Sequence, residues 1–218
     1  SPEKDIAYYA DICDFAMTFA QEKYVAKMHP LIPSVEFVTD KTYLSLSGGV
    51  SFLPETSDEE LAAIIFTSGS TGDKKGVMLS HGNLIANTAS ILEYLELKAS
   101  DRVCVVLPFY YCYGLSLLHT HIKAGGSVVL SNHPFVGGAL RDIDRYECTG
   151  FAGVPSTFQI LIANTKFLTE KLPTLCYFTQ AGGKLPNKYI KMIAEAFPDK
   201  KFIVMYGATE ATARMSYL

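Results

Sequence analysis

The sequence predicts an α/β fold: a largely parallel sheet flanked by helices. Three observations carry this. Apolar runs of strand length recur along the chain, and helical patterns lie between most of them. The segments rich in glycine, hydroxyl and aromatic residues fall directly after the runs, where a parallel sheet gathers its ligand-binding loops.

Residues 15–20 (FAMTFA) and 35–39 (VEFVT) read as short strands around a helical stretch near 21–28. Pro30, Pro33 and the pair Gly48-Gly49 punctuate this region, and residues 50–60 read as a polar link ending in Asp58-Glu59-Glu60. Residues 62–67 form an apolar run suited to a buried strand, and residues 77–79 a second short strand. Ser80 is expected to cap a helix over 81–97, whose Leu84, Ile85, Ile91, Leu92 and Leu95 share one stripe. Further strands are expected at 103–107, 128–130, 151–154, 175–179 and 202–206. Helices are expected near 114–124, 156–164 and 187–197; the last places Ile190, Ile193, Ala194 and Phe197 at helical spacing.

The 218 residues suffice for one sizeable domain or two small ones. An apolar fraction of 49% and a charged fraction of 19% are those of a folded globular chain. The formal net charge of −3 argues against nucleic acid as a partner, so an anionic ligand must be held by a local site. No apolar stretch approaches the ~20 residues a membrane span requires. Five cysteines, an odd number without a C-x-x-C pair, read as mostly buried free thiols in a reducing cytoplasm. His119 and His121 are two apart on an expected helix and so point to different faces, which removes them as a metal pair. His81 reads as helix-start packing, and no Cys/His cluster has zinc spacing.

The most informative segment is Thr67-Ser68-Gly69-Ser70-Thr71-Gly72-Asp73-Lys74-Lys75-Gly76. Glycines let backbone N–H groups turn toward an anion, hydroxyls add donors, and a lysine supplies a point charge to phosphate. This is not a Walker A loop, which needs G-x-x-x-x-G-K-[ST] leading into a helix. Here Lys75 precedes Gly76 and a strand.

The segment resembles the phosphate loop of the adenylate-forming superfamily, [ST]-S-G-[ST]-T-G-x-P-K-G, including the V-M-L-S-H-x-N-L run after it. Acyl-CoA synthetases, luciferase-type enzymes and peptide-synthetase adenylation domains share this loop. Lys74 stands where the family usually has proline, and Lys75 keeps the lysine's place. Tyr206-Gly207-Ala208-Thr209-Glu210 resembles the family's Y-G-x-T-E. Ala181-Gly182-Gly183-Lys184-Leu185-Pro186 resembles its glycine pair beside the adenine and acyl carbonyl. Residues 108–114 (PFYYCYG) resemble an aromatic stretch beside the acid site, with Tyr111 where a histidine is usual, and residues 154–158 (VPSTF) resemble a second border of that site.

The resemblance implies a role for each position. Thr67, Ser68, Gly69, Ser70, Thr71, Gly72 and Lys75 would hold phosphates. Gly182, Gly183, Tyr206, Gly207 and Thr209 would complete the nucleotide site. Glu210 would bind Mg²⁺, and Lys75, Thr209 and Glu210 would act in catalysis. Tyr110, Tyr111, Gly114 and Ala181 would meet the acid. Lys184 receives no role.

The implied cofactors are ATP, Mg²⁺ and coenzyme A. The implied reaction is activation of a carboxylic acid as its adenylate, followed by transfer to a thiol of coenzyme A or of a carrier protein's phosphopantetheine. A non-catalytic nucleotide-binding homologue is the alternative from another class, and an NTPase switch is disfavoured by the failed Walker match. The resemblance assigns residues 1–60 to a partial N-terminal segment of the large domain and residues 61–218 to its ATP-binding core. The small C-terminal domain, which brings a further lysine, is expected to lie outside this chain, leaving it inactive alone. Tyr110, Tyr111, Cys112 and Tyr113 offer no carboxylate to an amino-acid ammonium, so a fatty or aromatic acid is the expected substrate.

Overall fold

The computed structural model describes residues 2–43, 55–68 and 74–218. It divides into two compact units at residues 55/56. In the first, helix α1 (Pro2–Cys13) precedes strand β1 (Met17–Ala20), helix α2 (Glu22–Met28) and strand β2 (Glu36–Thr39), and β1 pairs in parallel with β2. The strands and α2 match the sequence reading. The reading had no helix at α1, which lacks a strong apolar stripe. The glycine pair at 48–49 lies outside the described residues.

The second unit opens with an antiparallel hairpin of β3 (Leu61–Ser68) and β4 (Lys74–Ser80). Here the structure corrects two expectations. β4 starts at Lys74, not residue 77, so both lysines belong to the strand. β3 is not buried throughout: its pair forms a two-stranded sheet, in which Ile65 and Leu79 are buried while Leu61 and Met78 are exposed. Helix α3 (His81–Leu95) follows directly. Ser80 Oγ accepts from the Asn83 amide at 3.2 Å, and Asn83 Oδ1 accepts from the Ser80 amide at 3.1 Å. This reciprocal cap satisfies two amides that a helix start leaves unpaired, worth about 1 kcal/mol.

The remaining strands are β5 (Arg102–Val105), β6 (Ser127–Leu130), β7 (Gly150–Gly153), β8 (Tyr177–Gln180), β9 (Lys201–Tyr206) and β10 (Ser216–Tyr217). They form one sheet in the order β10-β9-β8-β7-β5-β6, parallel except for β10. Helices α4 (Cys112–Ala124), α5 (Gly138–Arg145), α6 (Pro155–Asn164) and α7 (Asn187–Ala196) alternate with the strands. The reading missed α5, because Gly137-Gly138 at its start looks like a break. Its buried residues Ala139, Leu140 and Ile143 fill one face.

Alternation along the strands builds two cores. On β5, Cys104 faces a core with Phe151, Phe178 and the helix residues Ile143, Phe158, Leu161 and Ile193. Val103 and Val105 face the other side, with Ala152, Ala181, Met205 and the α4 residues Tyr113 and Leu117. Helices therefore cover both faces, which is why the strands read as continuous apolar runs. Phe158 packs against Phe151, Phe167, Phe178 and Phe202. Truncating such a ring to alanine costs about 3–5 kcal/mol. All five cysteines are free, but only Cys104 and Cys148 are buried; Cys13 and Cys112 are half-buried and Cys176 is exposed, so the expectation of mostly buried thiols is not met.

Candidate nucleotide and acid site

Four of the motif segments meet because the strands before them are parallel neighbours. Register pairs Cys104 with Phe151, Ala152 with Thr179, and Gln180 with Val204, so the strands end at one edge. β5 connects outward to β6 on one side, and the chain returns through β7 on the other. Beyond this switch point lie the loop 106–111 and Val154, which leads into α6, at the place where open α/β sheets bind ligands. Beyond β8 and β9 lie Ala181-Gly182-Gly183 and Gly207–Glu210.

A cavity of about 530 Å³ opens between the β8 and β9 loops, lined by Gly182, Gly183, Lys184, Tyr206, Gly207 and Tyr217 among others. That volume falls in the range of roughly 300–1,000 Å³ typical of small-molecule sites. Tyr206 is 65% exposed at its wall, so the ring face is open to a planar partner. Gly182 has φ +80°, a conformation that only glycine adopts cheaply, and faces Val154. Bared glycine backbone beside an exposed aromatic ring fits a nucleotide base. Lys184, given no role by the sequence, stands in the same lining.

Gly207 closes against the carbonyl of Ala213, where any Cβ would collide. The 207–215 loop therefore leaves and rejoins the sheet at one point, and the Met215 amide donates to the Tyr206 carbonyl at 2.8 Å. At its tip, Thr209–Ala211 forms a 3-10 turn beside β4. Thr209 Oγ1 donates to Cys112 Sγ at 3.4 Å, tying the turn to the start of α4. Glu210 is exposed on this turn.

The β3–β4 hairpin holds the two ends of the 67–76 segment side by side. Ser68 pairs with Lys74 and Thr67 with Lys75, and the Thr67 hydroxyl donates to the Lys75 carbonyl at 3.5 Å. Lys75 is exposed. Gly69, Ser70, Thr71 and Gly72 lie outside the described residues.

Tyr110 and Tyr111 are exposed before α4, with ring centroids 4.5 Å apart. Gly114 is buried against the Pro108 carbonyl, and Ala181 is buried in the core beneath the glycine pair. Tyr113 is buried, and its hydroxyl bonds Thr179 Oγ1 at 2.8 Å. Burial pushes the Tyr113 phenol up to about 12, with Arg214 and Thr179 pulling it down, so it stays protonated at neutral pH.

His121 is buried; its Nδ1 meets the Leu117 carbonyl at 2.9 Å and its Nε2 the Tyr177 hydroxyl at 3.1 Å. His119 instead lines an apolar cavity of about 390 Å³ with His81, Leu84 and Ile85. The two side chains thus serve different surroundings, and no metal-binding cluster occurs among the described residues.

Sequence reasoning missed Gln180. This fully buried side chain donates Nε2 to the Gly183 carbonyl at 2.9 Å and so holds the glycine turn. The available signal was an amide at the end of an otherwise apolar strand.

Residues 2–217 match the AMP-binding enzyme family. The chain belongs to that family. Among curated relatives, it is 32% identical over 161 residues to the acyl-CoA ligase sidI of Beauveria bassiana, covering 72% of this chain and 27% of the relative. It is also 32% identical over 158 residues to the D-alanine--D-alanyl carrier protein ligase of Streptococcus equi, covering 70% of this chain and 31% of the relative. In solved structures, it superposes on VinN in complex with L-aspartate with a TM-score of 0.88 and 25% identity, over 100% of this chain and 56% of that one. The chain thus spans between 27% and 39% of the curated relatives' length. It carries the adenylate-forming fold, and its family includes acid–thiol ligases acting with coenzyme A or carrier proteins. No described helix is long and apolar enough to cross a membrane.

Proposed function

We propose that the protein activates a carboxylic acid with ATP as an acyl-adenylate and transfers the acyl group to the thiol of coenzyme A. The observation that carries this is the meeting of the Tyr206–Glu210, Ala181–Gly183 and Phe109–Gly114 segments at one sheet edge, with strand β4 beside the first.

In this reading the substrate carboxylate attacks the α-phosphorus of ATP and expels pyrophosphate. Residues 67–72 and Lys75 hold the phosphates, and Lys75 offsets their charge. Tyr206 stacks on adenine above Gly182, Gly183 and Gly207. Thr209 donates to the α-phosphate, and its bond to Cys112 fixes the turn before ligand arrives. Glu210 would hold Mg²⁺, which supplies charge neutralisation at the phosphates. Residues 61–218 serve as the ATP-binding core of the large domain, with residues 1–60 as part of the same domain.

The acid lies over Tyr110, Tyr111, Gly114 and Ala181, at the switch point. The exposed tyrosine pair favours an apolar or aryl tail, and residues 106–114 and 181–186 contain no carboxylate to pair an ammonium. The relatives that handle D-alanine or hold L-aspartate make this the sharpest part of the proposal to test. Carrier-protein phosphopantetheine is the second reading for the acceptor, favoured by the relative that loads a carrier protein.

The test is acid-dependent ATP–pyrophosphate exchange by the full-length protein, with each acid paired to its 2-amino analogue. Exchange driven by fatty or aromatic acids is expected. Preference for the amino analogues would overturn the substrate class, and phosphate release without any acid would overturn the activity.

A further inference from the structure

Arg214 lies four residues beyond Glu210 and is only 6% exposed. Its guanidinium spans three elements. Nη1 donates to Tyr94 Oη of α3 at 3.2 Å and to Met205 Sδ of β9 at 3.7 Å. Nη2 donates to Ser116 Oγ of α4 at 3.2 Å, and the cation sits 5.1 Å from the centre of the Tyr113 ring. The Arg214 carbonyl accepts from Asn87 Nδ2 of α3 at 2.9 Å. Nε is buried without a hydrogen-bond partner, and among the described residues no carboxylate reaches ion-pair distance.

A buried cation held this way is a poor route to stability, since an apolar side chain of similar volume avoids the desolvation cost. What the guanidinium supplies is direction: planar, divergent donors can tie one chain segment to several elements at once. The segment it ties is the base of the 207–215 loop. Gly207 and Met215 already close that loop on the sheet, and Thr209 and Glu210 stand at its tip.

We propose that Arg214 is a positioning residue that locks the loop base to α3 and α4 and thereby sets where Glu210 and Thr209 stand. This rests on the adenylation reading above. It assigns Arg214 no contact with ATP, Mg²⁺ or acid.

The experiment uses the full-length protein in the exchange assay, with Arg214→Met, Arg214→Lys and, as reference, Glu210→Gln. Arg214→Met is expected to lower kcat about 10- to 100-fold, the scale of a small misplacement at a reacting centre. It should also raise the Mg²⁺ concentration for half-maximal exchange, in the direction of Glu210→Gln, while the KM for the acid holds. Arg214→Lys should recover part of both losses. A folded Arg214→Met with kcat and Mg²⁺ midpoint within about twofold of the parent would overturn the proposal.

If Arg214→Met fails to fold, Ser116→Ala and Tyr94→Phe each remove one tether. A shift of the Mg²⁺ midpoint in the same direction supports the proposal, and no shift in either overturns it. Should the unmodified protein catalyse no acid-dependent exchange, the proposed function fails separately. Arg214 is then judged by amide hydrogen exchange in Arg214→Lys: acceleration confined to residues 207–215 supports locking, and its absence refutes it.

Discussion

The hydroxyls of Tyr113 and Thr179 share a buried hydrogen bond of 2.8 Å that joins α4 to β8 just before the Gly182-Gly183 turn. Either removal leaves the other hydroxyl buried and unpaired, which costs about 1–3 kcal/mol. Tyr113→Phe and Thr179→Val should therefore each lower unfolding stability by that amount. The double variant should lose less than the sum of the two. Denaturant melts of the three variants check this, and simple additivity would show that the bond carries no coupling.

Lys75 and Lys74 are adjacent on β4 but pair with different residues, Thr67 and Ser68. If Lys75 neutralises phosphate, Lys75→Ala should reduce acid-dependent exchange by roughly 10²-fold, the scale for one lost charge-stabilising donor. Lys74→Pro should be tolerated, because the first residue of a two-stranded sheet's strand is a position where proline is found. Steady-state exchange rates decide it; equal losses at both positions would remove the distinction.

Gly182 adopts φ +80°, and an added Cβ would lie 3.1 Å from Val154 Cγ1. Gly182→Ala should cost about 1–2 kcal/mol through the left-handed backbone alone. Because the turn walls the cavity proposed to hold ATP, the KM for ATP should rise more than kcat falls. Thermal melting and ATP titration of the exchange rate measure the two effects separately.

Burial holds the His121 imidazole below its ordinary pKa of 6.5, against opposing pulls from the Leu117 carbonyl and Asp101. The folded state therefore binds fewer protons than the unfolded chain once pH drops below about 6.5. Stability should fall as pH falls through that window and level off below the depressed folded value. His121→Gln should flatten this part of the profile. Urea midpoints between pH 7.5 and 5 provide the measurement.

The sequence by itself determined the alternating α/β order, because strand-length apolar runs and helical stripes are local patterns that tertiary context did not override. It also determined the family: the order of residues 67–76 and 206–210 is set by what backbone amides, a lysine and a carboxylate must do around phosphate, and such order is written along the chain. The Ser80 cap was legible for the same reason, since a helix cap is a local event within one turn of chain.

Only the tertiary structure decided which segments share a site. Parallel register placed Gln180 beside Val204 and so the glycine turn beside Tyr206, while strand β4 came to lie against the 209–211 turn. It also decided that Tyr113 is a buried tether while Tyr110 and Tyr111 stay exposed, although all three belong to one aromatic stretch. Arg214 was invisible in sequence because its partners Tyr94, Ser116 and Met205 lie on other elements, and the role of Gln180 emerged only from its complete burial. Burial and long-range hydrogen bonding are set by packing, not by the neighbours along the chain.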